Sequence, residues 1–577
     1  MNKKQLDIQR KYYVSNYLQR GIDHLRIARL NKGLGFKIAE RQALGFHGLL
    51  PPAVWTQKQL VEHSWNFLNR KENNFEKYIY LMELLDINLK LFHQLVYEHI
   101  EDIMPLIYRP TINQTCPKFH YLTRFPKGLY ISLYDEGNVY KLVKNWPSSE
   151  VRAIILTDGE RALESEDAGA LGMCLPTGKS LLYTTMAGVK PVYCLPVLID
   201  VGTNSQEQLN DKFYVGINKK RVTGKIFEEL VDEFMRAAVR CFGPNVLIQF
   251  DGFSTKHNFL FLNKFKNDYC VFNDDIESTG AAVLSGIVTA SKIVYPKNKM
   301  GFISYNCFVL VGAGSANLGN ADVIVEAMKA EGLTEQEAID RIFILDSKGL
   351  IVKSRHDLNV NKRRFAKDLK PMKTIEEVLK LVRPTVLIGA TGAGELFTSE
   401  MIKDMAKYNK LPVVISISRP ESEAELTAEN AYKYANGKIL FAGGSNDFPI
   451  TPVTHRGKTY YPKQAHNSHI FPGIVLGATA VRLRFITTEM FFQAAKIVSK
   501  YVTKEEMDVG SLYPSMSKIK EISLDIAVEI AKIGYRTGMA LHLPEPKNIK
   551  EYILNEQYRN EYVPSLQIHP WGEEERE

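Results

Sequence analysis

A few short stretches of the chain hold side chains able to do acid–base or metal chemistry. LIQFDGF carries Asp251, and YCVFNDDI carries Asp274 and Asp275; each set of carboxylates follows an apolar run that reads as a β-strand. Carboxylates at the ends of neighbouring strands can converge on a hard divalent cation such as Mg²⁺ or Mn²⁺. The plainer reading of a paired Asp after a strand is a helix N-cap. GMCLPTGKSLLYTTMAG sets Lys179 in a Pro-Thr-Gly-Lys turn opening a helix. A lysine partly desolvated beside a carboxylate serves as a general base, against the plain alternative of a solvent-facing lysine. ILTDGER adds Asp158, Glu160 and Arg161.

FVLVGAGSANLGNADVIVEAM reads as a strand, a glycine-rich turn and a helix. Gly312 permits the tight turn and Gly314 lets backbone approach a pyrophosphate. Ser315 and Ala316 open a helix whose N–H groups and dipole suit a phosphate. RIFILD ends on Asp346, 34 residues after Gly312, where an acid accepts from adenine-ribose hydroxyls. The third glycine position is Asn317, with Gly319 two further on. Between Lys348 and Lys373, nine Lys and Arg face two Asp, an excess of +7 in a chain of net charge +8. Ser347, Lys348 and the Lys362–Arg364 cluster fall where a 2′-phosphate would lie and favour NADP, whereas Asp346 favours NAD. No nucleic-acid motif accompanies these charges, and the bland reading is a solvated basic loop.

These groups need a scaffold. At 577 residues, 45% hydrophobic and 24% charged, the chain is an ordinary large globular protein of about three to five domains or two lobes. No apolar run reaches the ~18–20 residues that span a bilayer. Six cysteines without CxxC spacing argue against a disulfide scaffold and a zinc ribbon, and fit a reducing compartment. The N-terminus has no apolar segment of a secretory signal. The cytosol is the expected compartment, with the mitochondrial matrix as the alternative. Apolar residues at threes and fours predict one amphipathic helix over Lys77 to Glu101. LYISLY, VRAIILTD, VYCLPVLIDV, FYVGI and VLIQF read as strands. From about residue 274 strands alternate with helices, the pattern of βαβ units and a parallel sheet.

Taken in order, VRAIILTDGER, GMCLPTGK, CLPVLIDVGT, YCVFNDDI, GAGSANLG, TAENAY and IFPG resemble the signature blocks of the malic enzyme family, and the similarity covers nearly the whole chain. The resemblance implies an α/β protein with a helical N-terminal domain (1–126), a discontinuous central α/β domain (127–273, continued by 468–539), a Rossmann-like dinucleotide-binding domain (274–467) and a C-terminal extension (540–577). It implies a homotetramer and the metal-dependent oxidative decarboxylation of malate to pyruvate with NAD or NADP. Tyr108 in LIYRPT matches the family's general acid, Lys179 its general base and Asp274 the carboxylate beside that lysine. Arg161 matches the arginine that clamps a substrate carboxylate, Asn467 an asparagine near the substrate, and Asp251 and Asp275 two of three metal-binding carboxylates. In the implied chemistry Lys179 takes the C2-hydroxyl proton as hydride leaves, the metal stabilises the enolate, and Tyr108 protonates C3.

The departures fall on that chemistry. The family's acidic pair after LIQF reads Asp251–Gly252 here, its Tyr-Thr-Pro-Thr reads Tyr108–Arg109–Pro110–Thr111, its Ser-Asn-Pro reads Ser418–Arg419–Pro420, and the first of two adjacent asparagines is His466. Together these add about three positive units and remove a metal ligand. Arg419 and His466 therefore stand at substrate positions. The alternative function is a catalytically impaired homologue that binds a dicarboxylate or a nucleotide as a regulatory protein.

Overall fold

The computed structural model describes residues 21–118, 127–162, 166–295, 297, 301–444 and 451–565. The basic N-terminal stretch and the acidic C-terminal tail lie outside the described residues. The chain divides into two compact units, Met1–Ile107 with Tyr558–Glu577, and Tyr108–Gln557.

The first unit is helical. The single helix expected over residues 77–101 is instead broken into Asn74–Ile87, Leu89–Glu98 and Ile100–Ile107. The break is made by Asn88, which ends one helix and starts the next, its side chain accepting from the backbone N–H of Leu91 at 3.1 Å. A capping side chain competes with the helical backbone, so apolar periodicity alone overruns it. Leu81, Leu95, Val96 and Ile103 form the buried face. Returning chain packs here as well: Asn88 donates to the Tyr562 hydroxyl at 2.6 Å and Gln57 to the Asn560 carbonyl at 2.8 Å.

The second unit holds two parallel sheets. In the first, β1 (Leu129–Ser132), β2 (Ala153–Thr157), β3 (Cys194–Asp200), β4 (Leu247–Phe250) and β5 (Val271–Asn273) run in the order β1-β3-β2-β4-β5. Strands β2 to β5 are buried along their whole length, which is why they read as continuous apolar runs rather than alternating ones. In the second, β6 (Phe308–Val311), β7 (Ile342–Asp346), β8 (Gly349–Leu350), β9 (Val386–Gly389), β10 (Val413–Ser416) and β11 (Leu440–Gly443) run β11-β10-β9-β6-β7-β8, with only β7 and β8 antiparallel. Strand order reverses at β6, which has β7 on one side and β9 on the other.

Three local readings are corrected. FYVGI is not a strand: Phe213 and Val215 are exposed, the Tyr214 hydroxyl accepts from Ala170 N–H, and Asp200 takes the Ile217 N–H that a ladder would have used. Lys179 does not sit in an opening turn. The helix begins at Cys174 and takes Pro176 into its first turn, where a missing N–H does no harm. Cys116 and Cys174 are joined as a disulfide with their Cα atoms 5.5 Å apart, a pairing across 58 residues that no spacing rule announces.

Candidate active site

Parallel strands put all their carboxyl ends on one edge of a sheet, and the turns leaving that edge carry the chemistry. Asp158 follows β2, Asp251 follows β4, and Asp274 and Asp275 follow β5; Gly312 follows β6, Asp346 ends β7, and Arg419 lies beyond β10. A single cavity of about 1030 Å³ is lined by Tyr108, Arg161, Lys179, Asp251, Asp274, Asp275, Arg419 and Asn467 together with Gly312, Gly314, Ser315, Ala316 and Asp346. His466, Lys348 and Lys362, singled out in the sequence, are not among its lining residues.

Lys179 is the centre of the polar end. It is 1% exposed and its ammonium forms short ion pairs with Asp251 and Asp274. Burial alone would lower its pKa; the two carboxylates outweigh burial and raise it, so the lysine rests charged. The Asn467 side-chain amide donates to the same Asp274 oxygen. Asp251 also accepts from Gln249 at 3.2 Å. The Phe471 ring, 4.9 Å from the Lys179 nitrogen, closes one side of the ammonium.

Tyr108 is 2% exposed, and burial raises its phenol above the usual value, with the Lys179 and Arg109 charges opposing. It therefore keeps its proton, as a general acid must. His466 packs edge-on to it, with ring centroids 6.1 Å apart. The backbone N–H of Ser468 donates to His466 Nδ1 at 3.0 Å, which leaves the ring hydrogen on Nε2. Burial first, and then the charges of Arg419, His469, Arg109 and Lys179, hold this imidazole neutral.

At Asp251 and Asp275, where the sequence places a metal, one oxygen of each carboxylate is engaged by neighbouring donors, while Asp274 Oδ1 is buried with no hydrogen-bond partner among the described residues. Asp251 is engaged by Lys179. One oxygen of Asp275 accepts from Gly252 N–H and from Asn258, each at 3.1 Å. Gly252 stands at φ +68°, and a Cβ there would meet Leu175 Cδ2 at 2.8 Å, so a side chain at this position is strained and Leu175 must give way to it. Among the described residues, the set of three ligand atoms within 4.8 Å of one another is Asp158, Glu160 and His257, not Asp251, Asp274 and Asp275. In that set the Arg221 guanidinium already stands 3.3 Å from Asp158.

At the other end, Gly312 has φ +97°, and a Cβ would lie 2.2 Å from the Ala390 carbonyl, so the β6 turn passes directly against the β9 turn. Asn317, in the third glycine position, donates to the Val311 carbonyl at 2.8 Å and the Gly312 carbonyl at 3.0 Å. The side chain that breaks the motif pins the turn. Asp346 is gripped by Arg355 at 2.8 and 2.9 Å and by Lys362 at 2.9 Å, while Lys348 pairs with Asp357. Partial burial pushes the Asp346 carboxyl up, but Arg355 and Lys362 win and hold it at about 2.

Two functional candidates escaped sequence reasoning. Asn258 orients Asp275. Glu425, fully buried, accepts from Thr391 N–H at 2.6 Å, Ser418 Oγ at 2.5 Å and Ser416 Oγ at 2.7 Å, tying the turn after β9 to the segment bearing Arg419. The available signal was a glutamate set between the apolar Ala424 and Leu426.

The malic enzyme N-terminal domain model matches residues 86–266, and the malic enzyme NAD-binding domain model matches residues 276–535. The chain is 42% identical over 546 residues to an NADP-dependent malic enzyme of Anas platyrhynchos, covering 94% of this chain and 97% of that one. It is 40% identical over 560 residues to a mitochondrial NAD-dependent malic enzyme of Ascaris suum, covering 96% and 86%. It is also 40% identical to a mitochondrial NADP-dependent malic enzyme of Homo sapiens, covering 96% and 91%. The fold matches the crystal structure of Entamoeba histolytica malic enzyme with a TM-score of 0.55 at 19% identity, over 90% of this chain and 92% of that one. No helix among the described residues is long and apolar enough to cross a membrane.

Proposed function

The chain belongs to the malic enzyme family, and from that premise we propose that it oxidises L-malate and releases CO₂ to give pyruvate, with NADP as the preferred acceptor. The observation that carries the reading is that Tyr108, Lys179 and Asp274 line the same cavity as the Gly312 turn.

Each residue has a role that follows from its surroundings. Lys179 rests as an ammonium, so it must give up its proton before it can take one; Asp251, whose carboxyl is pushed up by burial, is the acceptor in contact. The neutral amine then takes the C2-hydroxyl proton as hydride passes from C2 to the nicotinamide. Recharged, Lys179 donates a hydrogen bond to the new C2 carbonyl oxygen. As the C3–C4 bond breaks and CO₂ leaves, the ammonium stabilises the enolate oxygen, and Tyr108 delivers a proton to C3. Asp274 keeps Lys179 and Asn467 in place, and Arg161 clamps a substrate carboxylate. Transfers of this kind contribute ~10²–10⁴-fold each.

The preference for NADP is supported at Asp346. Both its oxygens are taken by Arg355 and Lys362, so it is not left to accept from a ribose 2′-hydroxyl. The cations around it suit a 2′-phosphate instead. The family's tetramer is the expected assembly, read by light scattering.

Steady-state turnover of L-malate with each nucleotide tests the proposal, with pyruvate and reduced nucleotide measured together. Equimolar products and a higher kcat/KM with NADP are expected. Absence of turnover with both nucleotides overturns it in favour of a regulatory binder.

A further inference from the structure

We propose that Arg109 and Arg419 hold the substrate's carboxylates directly, so that this chain binds its four-carbon dicarboxylate without a divalent cation. The inference rests on reading the cavity as the malate site.

Three observations converge on it. First, the chain's own donors reach into the carboxylates: Lys179 engages one oxygen of Asp251, Asn258 and the Gly252 N–H engage one oxygen of Asp275, and Gly252 itself brings no carboxylate and stands in the left-handed region. Second, positive charge has moved in. Arg109, Arg161, Lys179 and Arg419 line the cavity beside Asp251, Asp274 and Asp275, so four cationic side chains are already in place before any substrate enters. Two guanidinium groups bring the same formal +2 as one Mg²⁺ or Mn²⁺. They also bring planar forks of N–H donors that match a carboxylate edge to edge, which a spherical ion does not. A divalent cation entering the same space would be repelled by both. Third, the arginines stand at the Tyr108 end of the cavity: the Arg109 guanidinium lies 5.9 Å from the centre of the Tyr108 ring, and His466, which packs on that ring, feels the charges of both Arg109 and Arg419.

The test uses the full-length protein without nucleotide. L-malate is titrated by calorimetry in excess EDTA and again with saturating Mn²⁺, and Mn²⁺ alone is titrated with its free ion followed by electron paramagnetic resonance. Malate affinity is expected to differ by less than about threefold between the two conditions, with no high-affinity Mn²⁺ uptake. Arg419→Asn and Arg109→Thr are each expected to weaken malate at least about tenfold in EDTA, with Arg419→Lys between wild type and Arg419→Asn. Binding of malate that appears only with Mn²⁺, or stoichiometric Mn²⁺ binding at about micromolar concentration, overturns the inference alone. The wild-type comparison decides the matter without any variant. Malate that is silent under both conditions overturns this inference and the malate reading together.

Discussion

Replacing Lys179 with methionine is the sharpest perturbation of this site, because it separates electrostatic from steric loss. Methionine fills nearly the same volume, so packing against Phe471 changes little. The charge change is large. Asp251 and Asp274 lose the cation that pairs with both, and Asp275 stands beside them. Removing one partner of a buried pair costs about 3–5 kcal/mol, because the charge left behind is uncompensated. For a chain of 577 residues, at roughly 0.8 °C per kcal/mol, that is a fall in Tm of about 2–4 °C. The sign of the pH dependence follows from the carboxylates. Burial and mutual repulsion already raise the Asp251 and Asp275 carboxyls above their unfolded value, and losing Lys179 raises them further. A carboxyl raised in the folded state binds its proton more tightly there, so its destabilising effect is absent below about pH 4 and grows as pH climbs through the folded value. The Tm deficit of Lys179→Met should therefore be larger at pH 8 than at pH 5.5. Adding Asp274→Asn should restore part of it by removing a stranded charge. Scanning calorimetry at the two pH values reads all of this, and kcat should fall ~10²–10⁴-fold alongside. A Tm unchanged within about 1 °C at both pH values, with kcat kept within tenfold, would refute the reasoning.

Other consequences can be read with standard kinetics and melts. Tyr108→Phe should lower pyruvate formation by ~10²–10⁴-fold while leaving NADP affinity unchanged, since the phenol delivers a proton and the nucleotide turn lies elsewhere in the cavity. Lys362→Ala should raise the KM for NADP by roughly 10–100-fold with little effect on NAD; an equal rise for both would remove the 2′-phosphate assignment. Gly252→Asp should lower stability by about 1–3 kcal/mol, measured as Tm, because its backbone is left-handed and its Cβ would press on Leu175.

Much of the fold was legible because buried parallel strands are written as unbroken apolar runs. RIFILD and PVVISIS could be read directly, and the turns after them carry the residues that line the cavity. FYVGI has the same composition and forms no strand, because hydrogen bonding to Ala170 and Asp200 is decided by residues distant in sequence. Asn88 shows the opposite failure, a single local cap overriding a long periodic pattern. At the site, the residue types in the signature blocks pointed to Lys179 and Asp274. The occupation of Asp251 and Asp275 by neighbouring donors was invisible, since it depends on which side chains meet across β4 and β5. Asp346 had argued against NADP in the sequence. Only the placement of Arg355, nine residues further on, shows that its charge is already spent.

The central claim is that a lysine–tyrosine proton relay faces a nicotinamide and removes CO₂ from malate. L-malate deuterated at C2 tests it most directly, by mass spectrometry of both products. The account predicts deuterium on C4 of the reduced nucleotide, one pyruvate for each nucleotide reduced, and loss of both products in Lys179→Met. Pyruvate formed with an unlabelled nucleotide, or no transfer of deuterium to either NAD or NADP, would contradict it.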